Sequence, residues 1–256
     1  MAVANRLRSS RFDGLQLVAG LLILWQIGYW LAGDLALTSP WRTMQQLGAM
    51  LADPRFLPHL LETLAAFAQG FAIAVLLGVS IGAALGAHRL TGEVSEPILV
   101  ALYSIPKVTL YPIVLLVFGI GMPAKVAFGA IQGVVPIAIF TMNAVRQIPS
   151  VYLRTARIYR MSPYATARRV LLPAALPEII SGIRVGFALS LVGTLLGEMF
   201  GAQRGLGFLL MQAMTLHNMP RIMALTLLLV ILAVVINLLL LAFDRRLNAR
   251  IGVALR

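Results

Sequence analysis

The sequence predicts an all-α, polytopic membrane protein of about six transmembrane helices. Three observations carry that reading. Of 256 residues, 60% are hydrophobic and only 12% are charged, the mean hydropathy is +0.90, and uncharged apolar runs long enough to cross a bilayer recur along the chain. No soluble domain of this size could hide so much apolar surface, whereas about 20 apolar residues in a helix span the hydrocarbon core. The absence of cysteine removes disulfides, thiolate metal sites and cysteine nucleophiles. The net charge of +12 is not read as a nucleic-acid signal, because arginine in a polytopic chain concentrates in cytoplasmic loops.

Residues 1–14 read as a short cytoplasmic segment with Arg6, Arg8 and Arg11. The apolar run from Leu15 to Gly33 is longer than a signal-peptide core and lacks a clear A-x-A site, so it is a retained first span. Residues 34–62 are mixed and suit short interfacial helices and turns. The second span is Leu64–Ala87, with Gly70, Gly78, Gly82 and Gly86 at multiples of four, a stripe that invites another helix close. A polar link, His88 to Glu96, leads to a third span over Pro97–Gly119 that contains Pro106 and Pro112. The fourth, Ala124–Val145, is expected to be broken at Gly133 and Pro136. The fifth is Glu178–Phe200 and the sixth Ile222–Phe243, joined by a glycine-bearing link. The membrane domain is thus 15–245, with a basic tail over 246–256.

Between the fourth and fifth spans lies the most basic interruption, within a loop of 146–177. It carries Arg154, Arg157, Arg160, Arg168 and Arg169 and no acidic residue from Ser150 to Pro177. Its punctuation is that of two short helices. Ser150 is expected to cap the first, placing Arg154, Arg157 and Arg160 in one stripe. Ser162 followed by Pro163 starts the second, which should stop near Leu172 because a residue before proline avoids the helical region. Fourteen Lys and Arg fall on the side of this loop and both termini, and five on the other, among them Lys125. That asymmetry places both termini and the loop in the cytoplasm.

The chain has no G-x-x-x-x-G-K-[ST], no H-E-x-x-H and no G-x-S-x-G, and its three histidines lie far apart. No catalytic residue, metal site or cofactor site is expected on it. Of the ionisable groups at membrane depth, Lys107 and Glu198 are functional-site candidates by default. Glu178 and Arg184, in the first turns of the fifth span, read as interfacial groups that snorkel.

The basic loop resembles the EAA signature of membrane subunits of binding-protein-dependent ABC importers. Anchored on Val170, Leu172 and Pro173, with Ala174 to Pro177 continuing the match, the signature's glutamate falls on Arg154, its alanines on Thr155 and Ala156, and its glycine on Arg160. Ser104 to Gly121 and Gly197 to Ala213 are similar to segments of the nitrate, sulfonate, taurine and thiamine-precursor permeases. The resemblance covers about residues 60–245. It implies a type I importer fold in the bacterial inner membrane, and an assembly of two permease copies, likened to a homodimer, with two cytoplasmic ATPases and an external solute-binding protein. ATP and Mg would sit on the ATPases, with membrane lipid around the spans and no nucleic acid. Arg154, Thr155, Ala156, Arg157, Arg160, Met161, Ser162, Tyr164, Leu172 and Pro173 would couple to the ATPase. Tyr103, Ser104, Lys107, Tyr111, Gln132, Asn143, Ser190, Thr194 and Glu198 would line the pathway of a small solute, an anion of the sulfonate, taurine or nitrate type. The rival reading is a self-sufficient secondary transporter or channel.

Overall fold

The computed structural model describes the backbone of residues 2–33 and 36–254 and the side chains of 16–33 and 36–242. The arginines expected in 1–14 and those of the tail therefore lie outside the described side chains. Among the described residues every regular element is helical.

By contact the chain divides into two compact units, Met1–Leu57 with Leu209–Ile231 and Pro58–Phe208 with Leu232–Arg256. In the first, α1 (Ala2–Ala32) is followed by α2 (Pro40–Ala52). Ser39 caps α2 through its Oγ, which accepts from Arg42 N–H at 3.4 Å, with Pro40 in the first turn where no donor is needed. The Trp25 indole N–H donates to the Thr38 carbonyl at 3.0 Å. His217 stands at φ 51°, Asn218 N–H reaches the Ala213 carbonyl and His217 N–H that of Met214, closing a Schellman turn. Asn218 Oδ1 then caps the next helix by accepting from Arg221 N–H.

The second unit is built on close helix approaches. The glycine stripe of α3 (Leu57–Gly86) faces α6 (Met122–Arg146): a Cβ on Gly70 would stand 2.8 Å from the Val126 carbonyl oxygen, and one on Gly86 2.7 Å from that of Met142. α6 in turn lies along α9 (Leu172–Gly201), where Ile137 fills the space opposite Gly186. This wedging explains the first departure from expectation. α6 runs unbroken through Gly133 and Pro136, because a proline in a buried helix is tolerated where neighbours hold the freed backbone. Phe187 of α9 meets Phe67 and Phe71 of α3 edge to face, with centroids at 5.2 and 5.7 Å.

The third span is two helices. α4 (Arg89–Ser104) absorbs most of the expected polar link and carries Pro97 inside it; after a tight turn over Lys107–Leu110, α5 (Tyr111–Phe118) leaves at 80°. The break falls at Pro106, which holds Ile105 extended at ψ 130°.

The cytoplasmic-loop prediction is changed in three places. Ser150 is the first helical residue of α7 (Ser150–Ile158) and Pro149 precedes it, so Ser150 does not cap. Arg160 lies past the end of α7 and leaves the arginine stripe. The second helix does not stop near Leu172. After α8 (Pro163–Thr166), a π-turn over Ala167–Leu171, with Leu172 N–H donating five residues back to the Ala167 carbonyl, carries it into α9. The wider turn opens the ladder where Pro173 has no N–H to give, so one helix of 39 residues extends from Pro163 to Gly201. Arg168 and Arg169 consequently sit inside a continuing helix rather than in its last turn.

α10 (Leu206–Thr215) and α11 (Met219–Ala254) complete the chain. By length and composition four described helices suit a bilayer crossing, or five if the bent α4–α5 pair is one span, while the described apolar part of α1 is Gln16–Ala32.

Candidate functional site

Two regions hold the predicted site residues. The first is the basic helix pair. α7 is closed by a complete Schellman motif: Met161 N–H donates to the Ala156 carbonyl at 3.0 Å, Arg160 N–H to that of Arg157 at 2.9 Å, and Arg160 takes φ 48°. Ser162 Oγ accepts from Ala165 N–H at 3.2 Å, so the second helix starts as its hydroxyl predicts. Arg154, Thr155, Arg157, Arg160, Ser162, Tyr164 and Leu172 are exposed, while Met161 and Pro173 are half-buried. Ala156 departs from the expectation of a contact residue: it is 3% exposed and packs inward. The outer face is therefore basic and aromatic, with Tyr152, Tyr159 and Tyr164 exposed among the arginines.

The second region is the α4–α6–α9 body. Tyr103 and Ser104 are exposed at the end of α4, and Gln132 and Asn143 are half-buried on α6. Lys107 is buried; its Nζ donates to the Tyr103 carbonyl at 3.3 Å and lies 5.1 Å above the Tyr103 ring. Tyr111, Ser190, Thr194 and Glu198 lie within the packing. Tyr111 Oη donates to the Gly197 carbonyl at 2.6 Å, and the Ser190 and Thr194 hydroxyls fill the space that side chains on Gly133 and Gly129 would need.

Glu198, 0% exposed, is the hub of a network that sequence reasoning did not assemble. Thr63 Oγ1 stands 2.8–2.9 Å from its two oxygens and accepts from Leu206 N–H at 2.8 Å. Gly207 N–H donates to Glu198 Oε2 at 2.9 Å, and Gly205 N–H to His59 Nδ1 at 3.1 Å. Lys125, only 1% exposed, pairs with Glu62 at 3.1 Å and Glu198 at 3.8 Å and donates to the Arg204 carbonyl at 2.7 Å. Lys125 is thus enclosed within the protein. Buried charges of this kind persist only when paired and fully hydrogen-bonded. Gly205, at φ 124°, lies so close that a Cβ there would fall on the Glu198 carboxylate. The arrangement clamps the 202–207 loop onto α3, α6 and α9. Among the described residues no group of three His, Cys, Asp or Glu could hold a metal ion.

Residues 74–253 match the family described as "Binding-protein-dependent transport system inner membrane component". The chain belongs to that family. Among relatives of this permease, the bicarbonate transport system permease protein CmpB of Synechococcus elongatus is 34% identical over 79% of this chain and 78% of its own. The riboflavin transport system permease protein RibX of Chloroflexus aurantiacus is 33% identical over 79% and 76%. An inward-facing structure of the MetNI methionine ABC transporter matches with a TM-score of 0.64 at 26% identity, covering 73% of this chain and 93% of that one.

The network was missed because Glu62 falls in the mixed stretch 34–62 and Lys125 at the very start of the fourth span, where a charge marks topology rather than a site. One signal could have found them. Lys107 and Lys125 are the permease's only lysines, against nineteen arginines, and both are buried. Arg184 is half-buried, with its Nε shut off from solvent, whereas Glu178 is exposed.

Proposed function

We propose that this permease forms the translocation pathway of an ATP-driven, binding-protein-dependent importer of a small anion, in the inner membrane with both termini and the α7–α8 pair in the cytoplasm. Relatives named for bicarbonate, nitrate, aliphatic sulfonates and taurine support the anion. The partners are a second copy of this chain, two ATPases that hold ATP and Mg, and an external solute-binding protein. This chain itself holds neither catalytic group nor cofactor. The observation that carries the coupling half is the Schellman-closed α7 standing beside a helix that continues without a loop into α9. Such a pair, seated in a groove of the ATPase, converts movement of the ATPase into tilting of the spans. Arg154, Arg157, Arg160, Ser162 and Tyr164 make that contact, with Met161, Leu172 and Pro173 behind it; Thr155 is exposed beside them, and Ala156 supports the turn from within. Tyr103, Ser104, Lys107, Gln132 and Asn143 face the pathway, and Tyr111, Ser190, Thr194 and Glu198 hold its wall.

The test is reconstitution in liposomes with an ATPase and a binding protein from the same importer. Uptake of nitrate, bicarbonate or taurine should require ATP, both partners and an unreversed Arg157. Uptake by the permease alone, or an Arg157→Glu variant that still retains and stimulates the ATPase, would refute the reading.

A further inference from the structure

A cavity of about 490 Å³ opens in the second unit between α4, α6, α9 and α11, lined by Tyr103, Phe140, Ser181, Arg184 and Asn237 among others. Its size falls within the roughly 300–1,000 Å³ of small-molecule sites. Arg184 lies twelve residues into α9, about 18 Å from Leu172 along the axis and about 21 Å short of Glu198 at 1.5 Å per residue. A guanidinium at that depth is costly unless paired. Yet its Nε is buried without a hydrogen-bond partner, and among the described residues no carboxylate pairs with it. The buried lysines of the body are treated otherwise: Lys125 has two carboxylates and a carbonyl, and Lys107 has a carbonyl and a ring. Asn237, a lone amide in the apolar run of α11, faces the same cavity. Ser181 is already committed as a donor to the Pro177 carbonyl at 3.1 Å, which leaves Tyr103 and Asn237 as the additional polar groups.

The geometry points to a binding site for one small oxyanion, held by the Arg184 guanidinium through its Nε–H and an adjacent Nη–H, with Tyr103 and Asn237 on its flank. The planar fork of arginine matches two oxygens of a carboxylate, sulfonate, nitrate or bicarbonate group, and a charge-assisted bidentate pair is among the strongest polar contacts available. Phe140, Val185 and Leu189 supply apolar lining, and a low local dielectric strengthens such a pair. A solute anion and a lipid phosphate share this chemistry, and the solute is the occupant inferred here. This rests on the importer reading for the choice of anion.

The full-length permease in neutral phosphatidylcholine nanodiscs, in chloride buffer, is titrated with nitrate, bicarbonate, methanesulfonate and acetate while thermal unfolding is followed. At least one should raise the unfolding temperature saturably. Arg184→Gln should weaken that binding about tenfold or more, as expected for loss of a charged hydrogen bond, and Arg184→Lys by less. Should Arg184→Gln not fold, Tyr103→Phe with Asn237→Leu in the cavity lining should still weaken binding. The site is refuted if none of the four anions stabilises wild type, if Arg184→Gln binds as wild type does, or if phosphatidylglycerol competes the anions away and stabilises on its own. The importer reading fails separately: wild-type uptake without ATP refutes the importer, whereas ATP-driven uptake by Arg184→Gln at an unchanged KM refutes only this site.

Discussion

Replacing Arg160 by glycine should tighten the turn between α7 and α8. Arg160 holds the left-handed position of a Schellman motif, at φ 48°, with both motif hydrogen bonds made. A side chain there brings Cβ against the following carbonyl, at a cost of roughly 1–2 kcal/mol that glycine escapes. Glycine also gives the unfolded chain more freedom, which takes back about 0.4–1 kcal/mol. The net gain is therefore about 0.5–1 kcal/mol, a two- to fivefold shift in the local opening equilibrium. Hydrogen exchange of the Arg160 and Met161 amides reads that equilibrium directly, without asking a membrane protein to unfold reversibly. Arg160→Gly should slow both amides by about that factor. Arg160→Ala, which discards the guanidinium but keeps Cβ, should leave them near wild type. If Arg160→Ala slows exchange as much as Arg160→Gly, charge repulsion and not backbone strain sets the turn; if neither does, the reasoning about φ is wrong.

The remaining predictions concern the body. Lys125→Met leaves Glu62 and Glu198 facing each other without their cation, and should cost about 3–5 kcal/mol, visible as a large drop in detergent thermal stability; wild-type stability would contradict the pairing seen here. Thr63→Val removes the acceptor for Leu206 N–H and a donor to Glu198, for a loss of about 1–3 kcal/mol, with faster exchange at Leu206 as the specific readout. Gly78→Val places its Cβ 2.7 Å from that of Ile137 and should destabilise by about 1–3 kcal/mol or more through overpacking. Gly48→Ala in α2, where nothing lies within 4 Å, should instead stabilise by up to about 1 kcal/mol, so equal thermal shifts for the two glycines would undercut the packing argument.

Where a residue's role depends on neighbours close in sequence, the chain announces it. The α3 glycines predicted a close helix contact, and Ser162 with Pro163 predicted a helix start, because spacing and capping are local. What escaped depends on pairing across the fold. Glu62, Lys125 and Glu198 lie 63 and 73 positions apart along the chain, and no local pattern says that they meet. The prolines misled for a related reason. Pro136 and Pro173 are breakers by local rule, and a wedged neighbour or a π-turn overrides the rule only in the folded protein. Pro106, with nothing to hold Ile105 helical, does break its helix.

The uninterrupted rod from Pro163 to Gly201 has a final implication. At 1.5 Å per residue it is about 58 Å long, with an arginine-rich foot, Arg184 near the middle and Glu198 at the head. No hinge loop separates these three stations; the π-turn at the foot and Pro177 both lie below Arg184. A displacement applied at Tyr164 therefore arrives at Arg184 and Glu198 together, so that the guanidinium and the buried carboxylate change their surroundings in step rather than in sequence.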